Sequence, residues 1–225
     1  MTMPRICVFD VNETLLDMSA LDPVFERIFG DASVRPLWFS QVLQSALTAT
    51  VTDAYSDFGA TGMAALAMMA GARGTTLGDD DERALKDGMQ NLPPHPEVEE
   101  GLTLLLDAGI RIATLTNSTQ AVADAQLRNA GLSDLFELSL SADAVKRLKP
   151  AAAPYRMAAE SLGVPLEGMR LVAAHSWDVA GALRAGCAAA FVARPGKVLD
   201  PLVARPDVTG KEVAEVARLI IEAET

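Results

Sequence analysis

Four short polar clusters each lie at the end of an apolar run or in a loop between runs, and together they hold the groups that nucleophilic chemistry needs. Asp10 ends the run Ile6, Cys7, Val8, Phe9 and is followed by Val11, Asn12, Glu13 and Thr14. Thr116, Asn117 and Ser118 follow a second run, Lys149 and Pro150 lie in a loop, and His175, Ser176, Trp177 and Asp178 follow a later run. A carboxylate fixed at a strand end can attack an electrophilic carbon or phosphorus. The backbone N–H groups after it can hold a substrate anion. A hydroxyl and a lysine can then balance the charge of nucleophile and substrate. Each cluster alone reads as a cap or a turn; all four, in this order around a block of helices, read as one site.

The elements that must position these groups follow from hydrophobic periodicity. Arg5 to Asp10 reads as a buried strand. Leu21, Val24, Phe25 and Ile28 predict a helix over 18–29 that Gly30 stops. Val34, Leu37, Trp38, Val42, Leu47 and Val51 predict a second over 34–51, and two more are expected over 61–70 and 81–92. The connector Pro93, Pro94, His95, Pro96 marks the internal boundary. Beyond it helices at 97–107, 119–129, 153–162, 178–184 and 211–222 alternate with strands at 110–115, 136–140, 170–174 and 188–193. Such alternation predicts an α/β fold, a doubly wound parallel sheet covered on both faces. Its core is expected to comprise residues 1–14 and 95–225, with residues 15–94 as an inserted helical cap. Ligands of these sheets bind beyond the carboxyl ends of the strands, which is where the polar clusters fall.

Bulk properties narrow the function classes. The chain has 225 residues, half of them apolar, with a mean hydropathy of +0.20, enough for a sizeable core. A formal charge of −11 disfavours nucleic acid and anionic lipid as partners. Cys7 and Cys187 are the only cysteines. Neither has a partner at metal-ligand spacing, so buried reduced thiols and a cytoplasmic location are expected. The chain start carries no signal-peptide pattern, and no apolar stretch reaches membrane-spanning length.

The four clusters resemble the haloacid dehalogenase superfamily over nearly the whole chain. Asp10, Thr14 and Leu15 match its first motif, Thr116 its second, Lys149 its third, and Asp178 part of its fourth. The resemblance implies a Rossmann-like core with a cap, and Asp10 as nucleophile. Most members are magnesium-dependent phosphotransferases with a second Asp two residues after the nucleophile; here that position is Asn12. An amide takes no part in proton transfer at ordinary pH. Ala173 and Ala174 stand where a metal-binding Asp is usual, so the oxygen ligands that magnesium needs are reduced. The type II branch, the L-2-haloacid dehalogenases, is similar to this chain in Leu15 to Asp17, Trp38, Phe58, Asn117, Lys149 with Tyr155, and Trp177 with Asp178. That branch needs no metal or other cofactor and forms an ester on its Asp, which water then hydrolyses.

Departures from the branch are as informative. Phe39 stands where an arginine takes up the leaving halide. Arg35, one turn earlier, is a possible substitute, although its place at a helix start favours an exposed side chain. Glu13 stands where many relatives have glycine, and His175 replaces the amide usual near the attacking water. These two changes suggest a pair in which Glu13 orients His175 as a general base; the alternative is a solvated glutamate and a turn-capping histidine. His95 is expected to be a solvated connector residue. The resemblance thus implies Asp10, Lys149 and Asp178 as catalytic groups, and the two departures add Glu13 and His175. Val11, Asn12, Thr14, Phe39, Phe58, Thr116, Asn117, Tyr155 and Trp177 are expected to contact or position a small 2-haloacid substrate, in a homodimer. The alternatives are a phosphatase of the same superfamily and a non-catalytic relative that binds a small acid or a protein.

Overall fold

The computed structural model describes residues 6–224; Arg5 and the rest of the chain start lie outside the described residues. β1 (Ile6–Phe9) is followed by four helices, α1 (Asp22–Phe29), α2 (Val34–Val51), α3 (Phe58–Arg73) and α4 (Asp79–Gln90). Then come α5 (Val98–Asp107), β2 (Ile112–Thr116), α6 (Gln120–Asn129), β3 (Ser139–Ser141) and α7 (Ala152–Leu162). β4 (Met169–Ala173), α8 (Ser176–Ala185), β5 (Ala188–Val192), β6 (Val208–Gly210) and α9 (Val213–Glu224) complete it. The strands form one sheet in the order β3-β2-β1-β4-β5-β6, parallel throughout. The doubly wound α/β architecture expected from the sequence is present.

Alternation along the strands sends successive side chains to opposite faces. Cys7, Phe9, Ile112, Val172 and Val192 join one apolar cluster with α5 and α9. Ile6, Val8, Leu115, Leu171 and Phe191 join the other with α7 and α8. The first cluster continues without a break into Leu21, Phe25, Trp38, Val42 and Leu66 of the helical insertion. The insertion leaves and rejoins the core through a short stem: Asp17 N–H donates to the Pro93 carbonyl at 2.8 Å, and His95 N–H to that of Leu15 at 2.9 Å.

Two expectations need correction. The strand expected over 136–140 is Ser139–Ser141, because Phe136 leaves the strand path and sets its ring edge-on to Phe9 at 6.2 Å. β6 was not foreseen: Val208, Thr209 and Gly210 offer no apolar run, and it is pairing with Ala190 to Val192 that makes them a strand.

The loop carrying Lys149 is held by close packing against α8. A Cβ on Gly181 would sit 2.6 Å from Pro150 Cβ, 2.6 Å from the Tyr155 hydroxyl and 2.8 Å from the Pro150 carbonyl. Gly181→Ala is therefore expected to cost about 1–3 kcal/mol and to lower activity by moving the Lys149 loop. A Cβ on Gly101 meets the Ala214 backbone nitrogen at 2.8 Å, away from that loop, so Gly101→Ala should cost stability without the same loss of activity per folded molecule. Thermal melts read beside turnover check both; a Gly181→Ala protein melting like the parent would disprove the packing argument.

Candidate active site

β1 lies between β2 and β4, so the chain turns outward in opposite directions from it and leaves a crevice at its carboxyl end. Asp10 sits there, 4% exposed. Its Oδ1 accepts from Lys149 Nζ at 2.9 Å; its Oδ2 accepts from Thr14 Oγ1 at 2.7 Å and meets His175 Nδ1 at 3.0 Å. Thr14 Oγ1 itself accepts from Ala174 N–H at 3.0 Å, which leaves its proton aimed at Asp10. Burial pushes the Asp10 pKa up, but the Lys149 charge and the His175 bond outweigh it and hold the carboxyl below the usual carboxylate range.

The Lys149 ammonium is buried and has three acceptors: Asp10, the Leu115 carbonyl at 2.7 Å and Asp178 Oδ2 at 2.6 Å. Burial favours the neutral amine, yet Asp10 and Asp178 keep its pKa above the ordinary value. Asp178 also accepts from the Tyr155 hydroxyl at 2.5 Å; burial raises its pKa while Lys149 pulls against that rise. Asn117 grips the Lys149 backbone from both sides, accepting from its N–H at 2.8 Å and donating to its carbonyl at 3.2 Å. Thr116 Oγ1 accepts from Ser118 N–H at 3.2 Å and shapes that turn.

His175 Nε2 lies 2.9 Å from Glu13 Oε2, so the ring bridges Asp10 and Glu13. Glu13 adopts a left-handed backbone, φ 61°. That conformation costs an ordinary side chain about 1–2 kcal/mol, and the carboxylate's buried contacts hold it there. Lys197 Nζ pairs with Oε2 as well, and Arg35 Nη1 lies 3.8 Å from Oε1. Burial pushes the Glu13 pKa up, but His175 and Lys197 draw it down to about 2. Burial lowers that of His175, but its bonds to Asp10 and Glu13 prevail and raise it to about 9. At neutral pH the ring is an imidazolium between two carboxylates. It stacks on Trp177 (centroids 5.1 Å) and tilts against Phe39 (6.0 Å), which meets Phe58 edge-on at 6.3 Å. Phe58 also lines a cavity of about 100 Å³ with Trp38, Val42, Met63 and Ser118; Asp10 is not on its wall.

Several expected residues stand elsewhere than foreseen. The Asn12 side chain faces inward, donating to Ser118 Oγ at 3.3 Å and accepting from Gln126 Nε2 at 2.9 Å. Tyr155 is fully buried beneath Asp178 rather than on a substrate wall, and the Val11 side chain is likewise buried. Arg35 is not an exposed helix-start residue: its side chain is 13% exposed and pairs with Asp22 at 2.5 Å while reaching toward Glu13. His95 is not solvated either. It is half-buried, burial lowers its pKa, and its Nε2 has no hydrogen-bond partner among the described residues.

Sequence reasoning missed Arg194, Lys197 and Gln126. Arg194 donates to the Thr14 carbonyl from Nε at 2.9 Å and from Nη2 at 2.7 Å, and to Glu97 Oε1 at 2.8 Å, so it pins the loop that carries Asp10. The signal for Arg194 and Lys197 was available, since both follow the fifth strand at its carboxyl end. Among the described residues no three His, Cys, Asp or Glu side chains are grouped to hold a metal ion. The donor set does not suit magnesium: Lys149 Nζ occupies the gap between Asp10 and Asp178, and Asn12 is committed to Gln126.

The raised His175 pKa carries a consequence for stability. The folded value of about 9 exceeds the ordinary 6.5, so its stabilisation is complete below pH 6.5 and is lost as pH rises through 9. The full difference is at most about 3 kcal/mol. Urea melts at pH 6, 7.5 and 9 should show this fall, and His175→Gln should flatten it; an equal fall in that variant would rule out the assignment.

The comparisons with known proteins agree with this architecture. The family model for haloacid dehalogenase-like hydrolases matches residues 4–186. The chain is 30% identical over 198 residues to (S)-2-haloacid dehalogenase 4A of Burkholderia cepacia, covering 85% of this chain and 84% of that protein. A solved structure of L-2-haloacid dehalogenase from Xanthobacter autotrophicus superposes with a TM-score of 0.90 at 25% identity, over 97% of this chain and 98% of that one. A shorter match, 40% identical over 94 residues, joins 42% of this chain to 40% of a phosphoglycolate phosphatase of Neisseria meningitidis. The chain belongs to the haloacid dehalogenase-like hydrolases.

Proposed function

We propose that the protein is a hydrolytic dehalogenase that converts short L-2-haloalkanoic acids to 2-hydroxy acids through an ester on Asp10, without a metal. The carrying observation is that one ionised carboxylate, oriented by Lys149 and Thr14, faces the His175 ring beside an aromatic wall. A phosphatase needs a proton donor for its leaving alcohol two residues after the nucleophile, and the side chain there is an amide turned inward to Gln126. The similar proteins of Burkholderia cepacia and Xanthobacter autotrophicus are haloacid dehalogenases by name.

In the first half-reaction an Asp10 oxygen attacks the α-carbon in line with the carbon–halogen bond. The carbon–oxygen bond forms as halide departs with the bonding pair. Phe39, Phe58 and Trp177 exclude water from the carbon and halogen, and the loops at Val11, Asn12 and 116–118 receive the substrate carboxylate. Esterification removes the Asp10 charge, one of the two anions that keep the proton on His175. Nδ1 then gives its proton to solvent while Nε2–H stays on Glu13. Lys149 keeps Asp178 as its counter-ion through this change.

In the second half-reaction water attacks the Asp10 carbonyl carbon and passes one proton to His175 Nδ1. Collapse breaks the bond between that carbon and the ester oxygen, the former Asp10 oxygen now bound to the substrate α-carbon. The remaining hydrogen of the water goes to the departing alkoxide, and Asp10 is restored with the oxygen of the water. One proton and one halide leave per turnover. We assign residues 15–94 as the cap over this site. We propose a homodimer whose contact lies along α2; the exposed apolar side chains of Leu37, Leu47 and Val51 support this reading. The buried free thiols of Cys7 and Cys187 suit the cytoplasm, and among the described residues no helix is long and apolar enough to cross a membrane.

Halide release from L- and D-2-chloropropionate in EDTA tests the reading. Release from the L isomer alone, abolished in Asp10→Asn, is expected. His175→Ala should still give one equivalent of halide per site and then slow by about 10²–10⁴-fold with the ester retained, visible by mass spectrometry of the intact chain. No halide from either isomer, with hydrolysis of phosphate monoesters in magnesium, would establish the phosphatase instead.

A further inference from the structure

Glu13 has two sides. One faces His175; the other faces a recess open to solvent, lined by Asp17, Arg35, His95, Arg194 and Lys197. Lys197 reaches across this recess to the same Glu13 oxygen, Oε2, that meets His175 Nε2. Its backbone N–H closes a turn onto the Arg194 carbonyl at 2.8 Å, and Arg194 is itself fixed to the Thr14 carbonyl. The ammonium is thus presented by a turn anchored to the loop that carries Asp10 and Glu13, with 27% of its side chain still exposed.

We propose that Lys197 is a positioning residue for the hydrolytic half-reaction: by sharing Glu13 Oε2 with His175, it sets the pH above which His175 is free to act as a base. This assignment rests on the dehalogenase reading for its catalytic meaning. The electrostatics follow from the charged groups facing the pair. His175 meets Asp10 on one side, with Lys149 and Asp178 behind it, and Glu13 on the other. Glu13 meets His175, Lys197 and, from α2, Arg35. A carboxylate whose one oxygen serves two cations holds each less firmly than it would hold one, and two cations on one oxygen repel each other. Both effects favour loss of the imidazolium proton. Without Lys197, Glu13 would retain that proton to higher pH, and the ester would wait longer for its base.

The test uses the intact chain, whose only histidines are His95 and His175. ¹⁵N-histidine NMR titration of wild type, Lys197→Met and Lys197→Arg gives the His175 pKa directly, with the His95 signal assigned through His95→Gln. Lys197→Met should move the His175 titration up by about one pH unit, and Lys197→Arg should restore it. The acidic limb of single-turnover ester hydrolysis should move by the same amount. A His175 titration that stays put or moves down in Lys197→Met overturns the proposal; downward movement would mean that Lys197 only keeps Glu13 in reach of the ring. The titration needs no substrate. An upward shift in a protein that releases no halide would therefore retain this electrostatic assignment and overturn the dehalogenase reading, whereas an unmoved titration in an active dehalogenase would overturn this assignment alone.

Discussion

A buried ammonium with every N–H satisfied is the constraint around which this site is built. Lys149 Nζ binds Asp10 after β1, the carbonyl of Leu115 in β2, and Asp178 in α8. Three separately folded pieces of chain must arrive in register before that charge is tolerable, because an unpaired buried ion costs several kcal/mol. Asn117 fixes the backbone of the lysine, Tyr155 fixes Asp178, and Gly181 gives the Pro150 loop room to lie against α8. The packing of the second apolar face therefore serves the position of one nitrogen atom.

Outward from Lys149 the signs alternate: Asp10, His175, Glu13, Lys197. Lys149, Asp10, His175 and Glu13 each have an opposite charge on both sides, so none of these carries the full cost of desolvation alone. The same alternation makes the chain responsive. Neutralising one member, as ester formation does to Asp10, changes the proton affinity of the next. The strained backbone at Glu13 fits this logic, because local strain persists only where surrounding contacts hold it. The His175 ring lies against Phe39 and so brings a cation to the aromatic wall.

Most of the sheet and the first site residues were legible in the sequence because apolar runs and the polar groups at their ends are local signals. Asp10, Thr14, Lys149 and Asp178 were found through spacing that matches a known family, and Glu13 and His175 through departures from it. What escaped depends on direction or on long-range pairing. Arg35 looked exposed because helical periodicity does not show that Asp22 and Glu13 draw the side chain inward. Asn12 looked substrate-facing because nothing near it in sequence announces Gln126. Thr209 in β6 is polar and becomes part of a strand only beside Phe191. Lys197 lies in a turn with no motif, and its role depends on an oxygen 184 residues away in the chain.

The stem at Asp17 and Pro93 and the apolar cluster that crosses it also bear on how molecules reach Asp10. The stem alone would suit a lid free to swing, since its two arms are joined side by side. The cluster forbids this: Leu21, Phe25, Trp38 and Leu66 belong to the same packed mass as Phe9 and Val172, and rotating the insertion away would wet all of them together. An opening to solvent that needs no such rotation already lies beside Glu13 and Lys197.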